Sequence, residues 1–213
     1  NTLGAELSGW LYYLLNNLSF VVLFSGLGID AAITYYASRN EVGNHYLVSV
    51  AFAWTFSAII VQFLLYLVAG FMNPGLFTGI TPFAILFTTA TLLANCLAGI
   101  MYAKEQNAVP ALVFSGVNVL LIFFLPGHFF SVSFTNVTAY AKFYFLISSL
   151  PSIVFVVFLL ARGFRPQFES IPGFFRKLML PFALKAFVYS ILMALFTRCD
   201  YWLVHYFCDD AVL

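Results

Sequence analysis

The sequence predicts an all-α polytopic membrane protein, and three observations carry that expectation. First, 63% of its 213 residues are hydrophobic and only 8% are charged, whereas a soluble domain carries roughly 25% charged residues. Second, the 62 residues between Glu41 and Lys104 contain no Asp, Glu, Lys or Arg. A span across ~30 Å of hydrocarbon needs about 20 apolar helical residues, so this stretch holds more than one. Third, the apolar runs do not alternate polar and apolar over about 10 residues as barrel strands do. Helices then remain as the structure that satisfies every backbone polar group inside lipid. A net charge of +1 with no basic patch leaves nucleic acid out as a partner.

Taken in order, the apolar segments place six spans near 10–37, 45–70, 82–103, 109–126, 139–161 and 178–198. Asn73-Pro74-Gly75 and Thr81-Pro82 divide the long uncharged stretch. Arg39, Lys104, Arg162, Arg165, Arg176 and Lys177, six of the nine basic residues, fall in loops on one side. The other side carries Glu6, an uncharged 71–81 loop, a 127–138 loop with His128, and Asp209-Asp210. The positive-inside rule makes the basic side cytoplasmic. The longest cytoplasmic connection, 162–177, interleaves bases with Phe164, Phe168, Phe174 and Phe175, as suits a segment lying in the headgroup plane. No Met begins the chain, and Asp209-Asp210-Ala211-Val212-Leu213 reads as the start of a further span. A fragment of a longer polytopic protein is expected.

Within the spans, Ala90, Ala94 and Ala98, with Gly99 beside them, form a small-residue stripe that lets helix backbones approach closely. Ser25-Gly26-Leu27-Gly28 can act in the same way, and Pro110, Pro126, Pro151 and Pro181 mark boundaries and kinks. Cys96, Cys199 and Cys208 show no paired spacing and read as packing thiols. A charge at the bilayer centre costs ~2.5–3.5 kcal/mol on insertion scales and normally faces protein or a water-filled cavity. Asp30, about two turns from the inner end of the first span, and Lys185, about two turns into the last, are therefore candidate functional residues. Arg198 and Asp200 close the outer end of the last span. Lys185 and Arg198 stand roughly 140° apart on an ideal helix and need not share a face. Arg198 can instead snorkel to the outer interface or pair with Asp200. No phosphate loop, HExxH or G-x-S-x-G motif is present, His45, His128 and His205 lie apart, and no enzyme, metal or cofactor is indicated. Asn136-Val137-Thr138 is a glycosylation sequon in an outer loop.

Leu3-Gly4-Ala5-Glu6-Leu7-Ser8-Gly9, followed by an aromatic-led span, resembles the first outer loop of the lipid-linked polysaccharide flippases. These are the Wzx-type O-antigen transporters of the multidrug/oligosaccharidyl-lipid/polysaccharide exporter superfamily. Gly28-Ile29-Asp30-Ala31-Ala32-Ile33-Thr34-Tyr35-Tyr36-Ala37-Ser38-Arg39 is similar to the end of their second span. Leu180-Pro181-Phe182-Ala183-Leu184-Lys185, with Arg198-Cys199-Asp200-Tyr201-Trp202-Leu203-Val204, resembles their seventh span and the loop after it. The resemblance runs in span order along the whole chain, although Phe207-Cys208-Asp209-Asp210 stands where family members often carry Gly.

The resemblance implies family spans two to six in residues 1–161, an inter-lobe connection at 162–177, and the first helix of a second lobe with its outer loop at 178–213. It implies a multi-pass protein of the bacterial plasma membrane that moves an undecaprenyl-diphosphate-linked oligosaccharide from the inner to the outer leaflet by alternating access, without a cofactor. On this pattern Lys185, Arg198 and Arg39 attract the diphosphate, and Asp30 and Asp200 orient those bases or bind a coupling H⁺ or Na⁺. Membrane lipids are the remaining partners. The rival expectations are a drug/cation antiporter of the same superfamily, with Asp30 as coupling carboxylate, and a membrane polysaccharide polymerase or ligase.

Overall fold

A computed structural model describes residues 5–72, 79–124, 137–164, 166 and 171–207; for 5–8, 69, 72, 124, 137, 171, 172 and 198–207 only the backbone is described. Every regular element among the described residues is helical. The elements are α1 (Ala5–Gly26), α2 (Ile29–Arg39), α3 (Asn44–Met72), α4 (Thr81–Ala103), α5 (Ala108–Phe124), α6 (Val137–Ser148), α7 (Leu150–Ala161), α8 (Ile171–Phe174), a π turn (Phe175–Met179) and α9 (Leu180–Phe207).

Four helical segments are long and apolar enough to cross a membrane: Asn44–Val68, Thr81–Ala103, Thr138–Ala161 and Phe175–Thr197. The α1/α2 pair makes a fifth if its two arms are one span. The fourth expected span, 109–126, corresponds to α5, whose 17 described residues are fewer than the about 20 that cross a bilayer unaided. The expected span 10–37 is a pair of helices bent by 57° rather than one rod. Its cause is local. Leu27 and Gly28 both take left-handed backbone angles, φ 45° and φ 71°, and two such residues cannot continue a right-handed helix. Asn40 ends α2 in the same conformation, its N–H reaching the Ala37 carbonyl, the αL stop that Asn tolerates.

Proline shapes the other breaks. Pro82 lies in the first turn of α4 and Pro151 in the first turn of α7, where a missing N–H costs little. Pro181 offers no N–H to the turn before it, and that turn widens to π geometry.

α4 is the central post. Ala90, Ala94, Ala98 and Gly99 are buried along it, as the stripe predicts. A methyl group on Gly99 would collide with the Thr34 hydroxyl of α2, and one on Gly26 would sit 3.1 Å from Leu92. α2, α3, α4 and α7 enclose the larger apolar core, which includes Ile33, Leu47, Leu97 and Phe155; a second core around Leu14, Ile80 and Phe145 joins α1, α4 and α6. Cys96 is buried in the larger core with a free thiol, a packing role as expected. Cys199 has no described side chain and Cys208 lies outside the described residues.

α9 is packed differently from the rest. Only 11% of its span is buried, against 56% for the span on α4. Its attachment lies toward its N-terminal end. A Cβ on Gly28 would run into the Ala183 carbonyl and come within 2.8 Å of the Phe187 nitrogen. Below that crossing, Phe182 stacks on Tyr35 at 4.4 Å, Phe174 meets Tyr36 edge-on at 5.1 Å, and the Tyr36 hydroxyl donates to the Leu178 carbonyl at 3.3 Å.

Candidate functional site

The site follows from the break in the first helix pair. A helix that stops inside an apolar bundle leaves its last carbonyls and the next helix's first amides without helical partners. One of them is satisfied by a neighbour: the Trp54 indole N–H of α3 donates to the Ser25 carbonyl at 3.1 Å. The Ser25 hydroxyl in turn accepts from the Gln62 amide at 3.2 Å. Gln62 is fully buried, and its amide oxygen accepts from Thr88 at 3.0 Å and Thr89 at 2.7 Å. Tyr66 and Thr88 share a further bond of 3.3 Å. The network ties the end of α1 to α3 and α4, so the bend is held by side chains from two other helices.

Beside the break opens a cavity of about 460 Å³, lined by residues of α1, α2, α4, α6 and α9 together with Gly28. Its polar groups are Ser19, Asp30, Thr91, Asn95 and Ser190, and Phe87 and Tyr144 contribute aromatic rings. Asp30 lies in the first turn of α2, where an acidic side chain complements the helix dipole. It is nine residues from Arg39, about 14 Å along the helix. Asp30 is half-buried and Asn95 exposed, so the cavity opens at the surface of the described bundle. Among the described residues, the side chains of Asp30, Thr91, Asn95 and Ser190 form no hydrogen bond, and Asp30 has no ion pair.

Of the sequence-singled residues whose side chains are described, Asp30 lines this cavity and Lys185 and Arg39 do not. Lys185 is on α9, two residues from both Ala183 and Phe187, which abut Gly28. Two residues turn a helix by about 200°, so Lys185 projects from the far side of α9 and is exposed. It makes no ion pair among the described residues. Asp30 and Lys185 are thus near the same depth but separated by the body of α9. Arg39 is exposed at the end of α2, 3.1 Å from Glu41 in an ion pair, with its guanidinium 5.0 Å from the Tyr35 ring centre. The side chains of Arg198 and Asp200 lie outside the described residues, although both positions fall on α9.

The basic end of the bundle is assembled as the charge pattern implies. Lys104 donates to the Asn40 side chain, joining the α2–α3 and α4–α5 connections. Arg162 lies over the Phe158 ring at 4.6 Å, and Phe164 meets His45 at 5.7 Å. Phe174 and Phe175 pack inward on Tyr46 and Trp54 at 6.0 Å each, while Arg176 and Lys177 are exposed. Among the described residues of 162–177, the basic side chains Arg162, Arg176 and Lys177 are exposed, and Phe174 and Phe175 pack inward. Arg165 and Phe168, like His128, Asn136, Asp209 and Asp210, lie outside the described residues, and the His205 side chain is likewise not described. No group of three or more His, Cys, Asp or Glu able to hold a metal occurs among the described residues.

Sequence reasoning passed over Gln62. Its signal was present, since it is the one amide side chain between Asn44 and Asn73. Comparison with protein-family models, with curated proteins and with solved structures finds no match.

Proposed function

We propose that the chain is part of a flippase for a polyprenyl-diphosphate-linked oligosaccharide, working from the inner to the outer leaflet of a bacterial plasma membrane. The observation that carries the reading is an open cavity among apolar helices that holds a carboxylate, Asp30, with no ion pair among the described residues. A fold that only anchors or scaffolds has no need of such a cavity, and ionisable groups within spans mark transport pathways. The motif resemblance supplies the cargo. The basic end holding Arg39, Lys104 and Arg162 gives the cytoplasmic mouth a charge suited to an anionic diphosphate.

In this reading Lys185 and Arg198, on the first helix of a second lobe, face the translocation path, with Arg39 at its inner mouth. Asp30, set apart from Lys185 by the body of α9, serves a coupling ion, and Asp200 serves a coupling ion or orients Arg198. Rocking of the two lobes exposes the path alternately to the two sides, as in other repeat-built transporters. The test is transport of lipid-linked oligosaccharide in vesicles by the full-length protein with Lys185→Ala and Arg198→Ala. Loss of transport at normal expression is expected, and undiminished transport removes these residues from the path.

A second reading, a drug/cation antiporter, draws on Asp30 sharing its cavity with Phe87 and Tyr144, since a cavity with a carboxylate and aromatic rings also suits an organic cation. Asp30-dependent efflux of a cationic dye, with no movement of lipid-linked sugar, selects it.

A further inference from the structure

We propose that α5 joins two copies of this chain in the membrane through the exposed seam Ala111, Ser115, Asn118 and Ile122, with the two Asn118 amides hydrogen-bonded to each other. α5 packs on α4, α6 and α7 with another of its faces. Pro110 and Val117 are buried there, and Phe114 meets Phe155 of α7 edge-on at 5.5 Å. At ~100° per residue, the four seam residues fall within about 60° of one another around the helix. All four are exposed.

The seam is not plain lipid-facing surface. Asn118 stands about 15 Å along α5 from Ala108, and every residue from Val119 to Phe124 after it is apolar. Neither its amide nor the Ser115 hydroxyl forms a hydrogen bond among the described residues. A serine inside a helix can bond back to the carbonyl four residues before it, as Ser49 and Ser57 of α3 do. Ser115 does not. Lipid chains offer neither donors nor acceptors. Two free polar groups one turn apart on an apolar helix therefore call for a protein partner.

The spacing of four, three and four residues is that of a coiled-coil seam, in which a single Asn fixes register and partner number. Depth and symmetry select the partner. Copies of one chain share one orientation in the membrane, so their two-fold axis runs along the membrane normal. Each residue near the axis then meets its own counterpart at the same depth. An amide carries donors and an acceptor together and is its own complement. A different protein would have to bring a matching polar group to that depth, whereas a second copy always does. The 17 described residues of α5 add a further reason, since a short apolar helix relieves its mismatch with the bilayer by associating. The inference goes beyond the flippase reading and holds for either cargo, because no seam residue lines the α1/α2 cavity.

The test is Förster transfer between donor- and acceptor-labelled full-length protein in liposomes, titrated from high to low protein-to-lipid ratio. A reversible dimer is expected. Asn118→Leu should weaken it about 3- to 20-fold, the range that lost hydrogen bonds between membrane helices give. The unfolding midpoint of the Asn118→Leu monomer should hold or rise, because leucine suits lipid better than an amide. Asn118→Gln keeps an amide and should keep most of the association. Gly116→Ala, about 160° from Asn118 around the helix, should leave it unchanged. Under oxidation, Ile122→Cys should form a covalent dimer well above the background set by the unsubstituted chain, and Gly116→Cys should not. Transfer no greater than random at every density overturns the proposal. So does an Asn118→Leu dimer as tight as the wild type, or Gly116→Cys cross-linking as readily as Ile122→Cys. A wild-type monomer whose unfolding midpoint falls with Asn118→Leu overturns it as well, and seats α5 against another helix of the same chain.

Discussion

Gly28 meets two demands at once. Its φ of 71° lies in the left-handed region, and its missing Cβ is where the backbone of α9 passes. Gly28→Ala therefore adds backbone strain of about 1–3 kcal/mol to an overpacking cost of similar size. A lowered unfolding midpoint in mild detergent is expected, whereas Gly116→Ala, with open space around it, should change stability by less than about 1 kcal/mol. Equal effects at the two positions would show that the α2/α9 crossing is not close-packed. Gln62 is the second pivot. Gln62→Leu leaves the Thr89 hydroxyl without its Gln62 partner, while Ser25 keeps its bond to the Val22 carbonyl and Thr88 its bond to the Ala84 carbonyl. Hydrogen bonds between membrane helices average ~0.6 and reach ~1.7 kcal/mol, so a loss of about 1–2 kcal/mol in a denaturant titration is expected. Asp30 was legible in the sequence because a charge in an apolar run is conspicuous. Gln62 was not, because an amide carries no charge and its partners lie 26, 27 and 37 residues away.

Among the elements, order and type were legible and continuity was not. Apolar runs bounded by Pro, Gly and Asn place α3, α4 and α5 within a few residues. The break between α1 and α2 was written as Ser25-Gly26-Leu27-Gly28, but that string serves close packing and helix termination equally well, and hydropathy cannot distinguish them. The structure uses it for both, since Gly26 approaches Leu92 and Gly28 turns the chain. The π turn is likewise invisible to periodicity, because five residues of altered pitch barely disturb an all-round apolar pattern. Its role is mechanical. With Pro181 it sits at the root of α9, beside the rings of Tyr35, Tyr36, Phe174 and Phe182. Phe182→Ala removes the 4.4 Å stack on Tyr35 and the contact with Tyr36 at 6.0 Å. Hydrogen exchange over 174–187 should quicken while α4 keeps its protection, because stability in a fold is local. Unchanged protection in α9 would show that the aromatic cluster does not hold it.

For the whole molecule, the charge pattern has a spatial counterpart that leads to a test of α9. Arg39, Lys104 and Arg162 occur at chain reversals brought together at one end, as the contacts Lys104–Asn40 and His45–Phe164 require. Lys185 departs from that order. It lies ten residues from Phe175, where the span begins, or about 15 Å in from that end. Val188, Leu192 and Phe196 recur on the same helical face, and all are exposed. An ammonium in the middle of an apolar stripe is costly against lipid, at ~2.5–3.5 kcal/mol. Its stem would have to snorkel about 15 Å to escape, beyond the reach of four methylenes. The face of α9 that carries Lys185 is therefore expected to meet water or further protein, whereas the exposed face of α7 around Val154 is expected to meet lipid. Cysteine placed at each position separates the two environments. Lys185→Cys should react with a hydrophilic thiol reagent at a rate near that of a water-exposed site, and Val154→Cys should stay unreactive. Protection of both positions would show that water does not reach this face of α9, and Lys185 could then no longer serve as a ligand for the diphosphate.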